Sequence, residues 1–202
     1  LHSGIGQGYF LSTPIQLCLM TAQIANGGFK IKPRIIFDKN KNDLKDYIQF
    51  KNENPDQTLP IDLVIKNFNL KPLFANQKNI NIVKDAMFSS SNEPGGTSYR
   101  HRMENPKFTF AGKTGSSQIK RFTEAQREAE VKQVDLNYKD RDHALFIAFA
   151  PYKDPKYAIS VVVEHGGSGG SAAAPIAKKV IKKVLERHDL RQEANYSTRN
   201  SI

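Results

Sequence analysis

Apolar positions near the start of the chain recur at helical spacing. Leu17, Met20, Ile24 and Ala25 follow Thr13-Pro14, a pair that starts helices because Thr caps free N–H groups and Pro suits the first turn. Asn26-Gly27-Gly28 stops that helix. Phe29 to Phe37, with Pro33, reads as a short extended segment. Residues 38–60 are rich in Lys, Asn and Asp and lack a clear period, which predicts an insertion or excursion. Ile82, Val83, Ala86 and Met87 predict a helix over 79–89, ended by a breaker over 89–96. Three runs predict strands: Phe108 to Gln118, Ala144 to Ala150, and Tyr157 to Glu164, the last rich in Val and Ile. A second polar excursion, charged and exposed, spans 119–141. The turn Pro151 to Pro155 is short enough to join only antiparallel neighbours. After a Gly-rich turn over 165–171, Ile176, Val180, Ile181, Val184 and Leu185 predict a closing helix over 172–187. This is an α+β layout, an antiparallel sheet with packed helices. One unit is expected over 1–187, with a polar tail over 188–202.

Composition changes the picture in a few places. The chain has 202 residues and 39% apolar content, below the roughly 45–50% usual for soluble domains. The deficit sits in the Lys/Asn-rich stretches, so disorder throughout is excluded. Cys18 is the single cysteine and cannot form an internal disulfide. No Cys/His pair has zinc-ligand spacing, so neither metal nor cofactor is expected. No run approaches ~18 apolar residues, the length that spans a bilayer. The chain opens on Leu1-His2-Ser3-Gly4-Ile5-Gly6-Gln7-Gly8, a Gly-rich loop, and the expectation is a chain cut from something longer.

The formal charge is +10, which invites a polyanion reading. The one basic cluster, Lys178, Lys179, Lys182, Lys183 and Arg187, reads as a solvated helix face. No aromatics interleave with it to stack on bases, so no nucleic acid is expected. The surplus still suits an anionic surface such as a membrane or cell-wall polymer. Cys18 reads as a small core residue and His143 as a packed or solvated histidine. Gly166-Gly167-Ser168-Gly169-Gly170 reads as a flexible strand-to-helix turn.

The sharpest cluster is Ala111-Gly112-Lys113-Thr114-Gly115-Ser116-Ser117-Gln118. A phosphate-binding P-loop needs glycine at position 107, where Lys107 stands. The alternative is the Lys-Thr-Gly element of active-site serine acyltransferases. On a strand, Lys113 projects a fixed ammonium, Thr114 offers a hydroxyl, and Gly115 has no side chain to block a substrate.

Five further blocks frame that strand. Ser3-Gly4-Ile5-Gly6-Gln7-Gly8-Tyr9 with Thr13-Pro14-Ile15-Gln16-Leu17 and Ala25-Asn26-Gly27-Gly28 comes first, then Glu93-Pro94-Gly95-Gly96-Thr97-Ser98. The strands at His143–Pro151 and Val161–Gly167 follow, and Ala173-Ala174-Pro175-Ile176-Ala177 closes the order. In this order the blocks resemble the C-terminal part of class B penicillin-binding proteins, of the elongation-type penicillin-binding protein 2 subgroup. The family's Ser-x-x-Lys and Ser-x-Asn motifs belong upstream of the Gly-Gln-Gly block and do not precede it here. Ser117-Gln118-Ile119-Lys120 and Ser90-Ser91-Asn92 fit those patterns at the wrong places and are rejected as catalytic.

The resemblance implies a serine-type peptidoglycan D,D-transpeptidase, with stem peptides ending in D-Ala–D-Ala and β-lactams as ligands and other cell-elongation proteins as partners. It implies that Lys113 attracts the ligand carboxylate, Thr114 donates to it, the Ser116 N–H serves an oxyanion, and Gly115, Ser117 and Gln118 line the substrate edge. It also implies the periplasmic face of a bacterial inner membrane, held by an N-terminal segment outside this chain. Without the nucleophile, these residues alone are expected to be inactive. The alternative is a non-catalytic basic module that binds anionic polymer or nucleic acid.

Overall fold

The computed structural model describes residues 11–35, 45–54, 57, 61–74, 76, 78–120 and 132–199, without the side chains of 61–62 and 192–199. The Gly-Gln-Gly block, residues 36–44, most of the 55–60 stretch, and residues 121–131 lie outside the described residues.

Helix α1 (Pro14–Ala25) begins where the sequence places it. Thr13 and Gln16 form a reciprocal capping box that satisfies free N–H groups of the first turn. Polar sequence expected to lack period contains α2 (Lys45–Glu53). This helix, with α3 (Ile61–Asn67), packs Tyr47, Val64, Ile65 and Phe68 around Phe29 and Leu70. The extended segment after Phe29 is reduced to a single bridge between Phe29 and Pro72. Helix α4 (Lys78–Asn92) runs past the expected end at 89, and the breaker shrinks to Glu93–Gly96.

Strands β1 (Ala111–Ser117), β2 (His143–Ala150) and β3 (Tyr157–Val163) form one antiparallel sheet in the order β1-β2-β3. Phe108, expected to open β1, belongs instead to a short 3-10 turn, Pro106–Phe108, that seals the core. The central strand is covered on both faces, hence its nearly unbroken apolar run. Phe146, Ala148 and Ala150 face one way, toward α5 (Ala174–Arg199). Phe149 faces the other way and meets Ala25 of α1 and Met87 of α4.

Helix α5 continues to Arg199, well beyond the 187 boundary. Its buried stripe is Ala174, Ala177, Ile181 and Leu185, while Ile176 and Val180 are exposed. Small alanines let the helix sit close over Phe146; larger side chains at those positions would hold it off. Helix α4 shows a similar rotation: Ile80, Met87 and Ser91 are buried, and Ile82 and Val83 are not. Among the described residues, no helix is long and apolar enough to cross a membrane.

Candidate active site on the rim of strand β1

Register fixes which side chains share a face. Lys113, Gly115 and Ser117 pair with Ile147, Leu145 and His143, on the side of the sheet that carries α1 and α4. Gly112, Thr114 and Ser116 pair with Ala148, Phe146 and Ala144, on the side of α5. Gly112 is glycine for packing, since a Cβ there would come within 2.4 Å of Phe146 Cζ and 3.0 Å of the Ile147 carbonyl. Gly115 differs. A Cβ on it would make ordinary contact with Leu145 Cβ at 3.5 Å, so the fold itself does not require glycine there.

The outer rim of β1 is divided in two. Ser91 Oγ donates to the Gly112 carbonyl (3.2 Å), and Asn92 Nδ2 donates to the carbonyls of Phe110 (2.8 Å) and Phe88 (2.9 Å). These bonds identify Phe110 and Gly112 as residues whose backbone groups point away from β2. Backbone direction alternates along a strand, so Thr114 and Ser116 present their N–H and C=O groups to the same rim. The last turn of α4 thus covers the first half of the edge and leaves the second half open. Lys113 reaches around to this open half, where Nζ donates to the Thr114 carbonyl at 2.9 Å and lies 3.5 Å from Thr114 Oγ1. An ammonium, a hydroxyl and two outward N–H groups converge there, a combination suited to a carboxylate and a developing oxyanion.

The turn before α5 closes over the strand from the other side. Gly169 is buried, and a Cβ on it would lie 2.2 Å from the Leu145 carbonyl and 2.7 Å from the Gly115 carbonyl. In the Gly-rich turn, expected to be flexible, Gly169 and Gly170 answer to close backbone approach and Gly167 to its φ of +76°. Ser116 Oγ also donates to the Gly167 carbonyl at 3.5 Å.

A penicillin binding protein transpeptidase domain pattern matches residues 1–182. The chain belongs to that family. Peptidoglycan D,D-transpeptidase MrdA of Salmonella typhimurium is 33% identical over 183 residues, and MrdA of Haemophilus influenzae 30% over 184; each alignment covers 91% of this chain. Among solved structures, the complex of PBP2 with MreC from Helicobacter pylori aligns over 91% of this chain and 26% of its own, with 28% identity and TM-score 0.61. Pseudomonas aeruginosa PBP2 in complex with WCK 5153 aligns over 89% of this chain and 31% of its own, with 30% identity and TM-score 0.56. The chain spans about a quarter of the length of these curated relatives, 26% of the Salmonella protein.

The structure brings Lys113, Thr114, Gly115, Ser116 and Ser117 together on β1, with the exposed Gln118 just beyond its end. The other chemistry-bearing residues are engaged elsewhere. Lys120, the lysine of the rejected Ser117-Gln118-Ile119-Lys120 pattern, pairs with Asp140 at 3.0 Å. Ser91 is fully buried and also shares a hydrogen bond with Ser98. His143 accepts the backbone N–H of His165 through Nδ1 at 3.0 Å. Cys18 is half-buried, where burial raises its thiol pKa, and its Sγ lies 3.5 Å from the Ala158 carbonyl on β3. A cavity of about 620 Å³ lies elsewhere, lined in part by Lys107, Phe108, Pro151, Lys156, Leu185 and His188, and includes none of the rim residues. Ser90, Ser91, Asn92 and Thr97 shape the rim, yet sequence reasoning assigned them no such part. The signal available was the density of small hydroxyl residues on both sides of Gly95-Gly96, just before the Lys-Thr-Gly strand.

Proposed function

We propose that these residues are the substrate-strand portion of a peptidoglycan D,D-transpeptidase. The observation that carries this reading is the open half of the β1 rim, where Lys113 Nζ lies against Thr114 beside the outward Ser116 N–H. A serine hydroxyl, supplied by polypeptide outside these 202 residues, attacks the carbonyl between two terminal D-Ala residues. Lys113 attracts the terminal carboxylate, and the Thr114 hydroxyl donates to it. The Ser116 N–H donates to the oxyanion as the tetrahedral centre forms, a contribution worth roughly 10²–10³ in rate. Substrate backbone lies along the edge beside Gly115, Ser117 and Gln118 as an added strand. Collapse releases D-Ala, and an amine of a neighbouring stem resolves the ester into the cross-link. A β-lactam acylates the same serine.

The relatives support a class of partner as well as a reaction. One neighbour is a complex of PBP2 with MreC, and cell-elongation proteins are the partners proposed for this chain too. The proposed location is the outer face of the cytoplasmic membrane, reached through an N-terminal anchor. The Ser-x-x-Lys and Ser-x-Asn motifs are assigned to preceding polypeptide, so the 202 residues alone do not form an acyl-enzyme.

Labelling with a fluorescent penicillin tests both halves of the proposal. The isolated residues take no covalent label. A full-length protein is labelled, and Lys113→Ala slows its acylation roughly 10–100-fold, as loss of a charged hydrogen bond of about 1.5–3 kcal/mol gives. Covalent labelling of the isolated chain would refute the missing nucleophile. Salt-sensitive polyanion binding that survives Lys113→Ala, with normal acylation, would favour the basic binding module instead.

A further inference from the structure

Three hydroxyls stand in line behind the rim. Ser90 Oγ lies 3.3 Å from Thr97 Oγ1, and Thr97 Oγ1 lies 3.0 Å from Thr114 Oγ1. Each hydroxyl carries one proton and two lone pairs, so the direction of the whole line can reverse. With Lys113 donating toward Thr114 Oγ1, the Thr114 proton points back to Thr97. An anion against the rim calls that proton outward, and the Thr114 oxygen then needs a donor behind it. Thr97 is placed to supply one.

The position of Thr97 is fixed from three directions. Its neighbour Ser98 is fully buried and donates from its backbone N to the Ser90 carbonyl at 3.1 Å, while its Oγ lies 3.1 Å from that carbonyl and 3.0 Å from Ser91 Oγ, which in turn donates to the Gly112 carbonyl. On the other side, a Cβ on Gly96 would lie 2.4 Å from the Ser90 carbonyl. Opposite, a Cβ on Gly170 would lie 2.8 Å from the Thr97 carbonyl. The loop, the end of α4 and the turn before α5 are therefore locked together, and the Thr97 hydroxyl is held while its side chain remains exposed.

We propose that Thr97 is a positioning residue for ligand carboxylate. It donates to Thr114 Oγ1 and so turns the Thr114 proton outward, while Ser90 donates to Thr97 and polarises the line. The inference rests on the reading of the β1 rim as the carboxylate site.

The test measures acylation of the full-length transpeptidase by benzylpenicillin and by its methyl ester, which has no carboxylate charge. Thr97→Val keeps the shape and removes the hydroxyl. It is expected to weaken pre-acylation binding of the acid about fivefold to tenfold, the scale of one net hydrogen bond, with little change in the acylation step itself. The ester is expected to lose less than about twofold on the same scale. Thr97→Ser restores binding of the acid, and Ser90→Ala gives a smaller loss in the same direction. In a Thr114→Val background, Thr97→Val adds nothing. Equal losses for acid and ester, a full additional loss in the Thr114→Val background, or normal binding by Thr97→Val with Thr114→Val impaired would each overturn the role of Thr97. Normal acylation by both Thr114→Val and Lys113→Ala would instead overturn the carboxylate site on which it stands.

Discussion

Two glycines three positions apart on one strand serve different ends. Gly112 lies over the Phe146 ring and beneath a backbone carbonyl, so Gly112→Ala forces one of them to move. We expect a loss of about 1–3 kcal/mol from this overpacking, read as a lower midpoint in denaturant melts. Gly115→Ala meets Leu145 at an ordinary distance, so stability should hold or rise by up to ~1 kcal/mol, as glycine weakens strands. Acylation of the full-length protein should nonetheless fall at least about tenfold, because the new methyl displaces a substrate lying along the edge. A Gly115→Ala variant that loses stability but acylates normally would reverse this assignment. Lys113, Thr114 and Gly115 were legible in the sequence because their spacing makes a motif. Thr97 was not, since its tie to Thr114 joins hydroxyls 17 positions apart, and no local pattern encodes such a tie.

At the scale of elements, the sequence located the helices near α1, α4 and α5 and the strands of the sheet, but misjudged which helix faces turn inward. In α5 the count of large aliphatics favoured Ile176 and Val180, whereas the sheet accepts alanines because they permit closer approach. Helix α2 was missed because its apolar residues are few and its partners, Phe29 and Phe68, come from distant segments. Helix α4 is also tied to the β2–β3 turn, where the Tyr152 hydroxyl donates to Asp85 Oδ1 at 2.5 Å. This bond and partial burial push the Tyr152 phenol up to about 12. Its folded value exceeds the roughly 10 of an unfolded tyrosine, so the contribution is complete below about pH 10 and drains away as pH rises toward 12. Thermal melts across that interval should fall more steeply for the unmodified protein than for Tyr152→Phe. Parallel curves would show that the tie adds nothing to stability.

Across the molecule, stability should be unevenly distributed. The sheet lies between two apolar clusters that include Phe110, Phe146 and Phe149, each fully buried. Helices α2 and α3 instead surround a small separate cluster at Phe29, joined to the rest by α1 and the Phe29–Pro72 bridge. Hydrogen exchange should therefore be slowest in the central strand β2 and faster by about tenfold or more in α2 and α3, which can open without exposing the main core. Uniform protection would mean that the satellite cluster unfolds only with the whole. The half-covered rim of β1 has a consequence of its own. An uncapped border strand is a template on which foreign strands can grow into aggregates. Here the side chains of Ser91 and Asn92 occupy the carbonyls that a long intruder would need first. A stray β-segment cannot zip along the full border, whereas a short peptide ending opposite Thr114 can still seat itself, so the same two side chains set the length of guest that the edge admits.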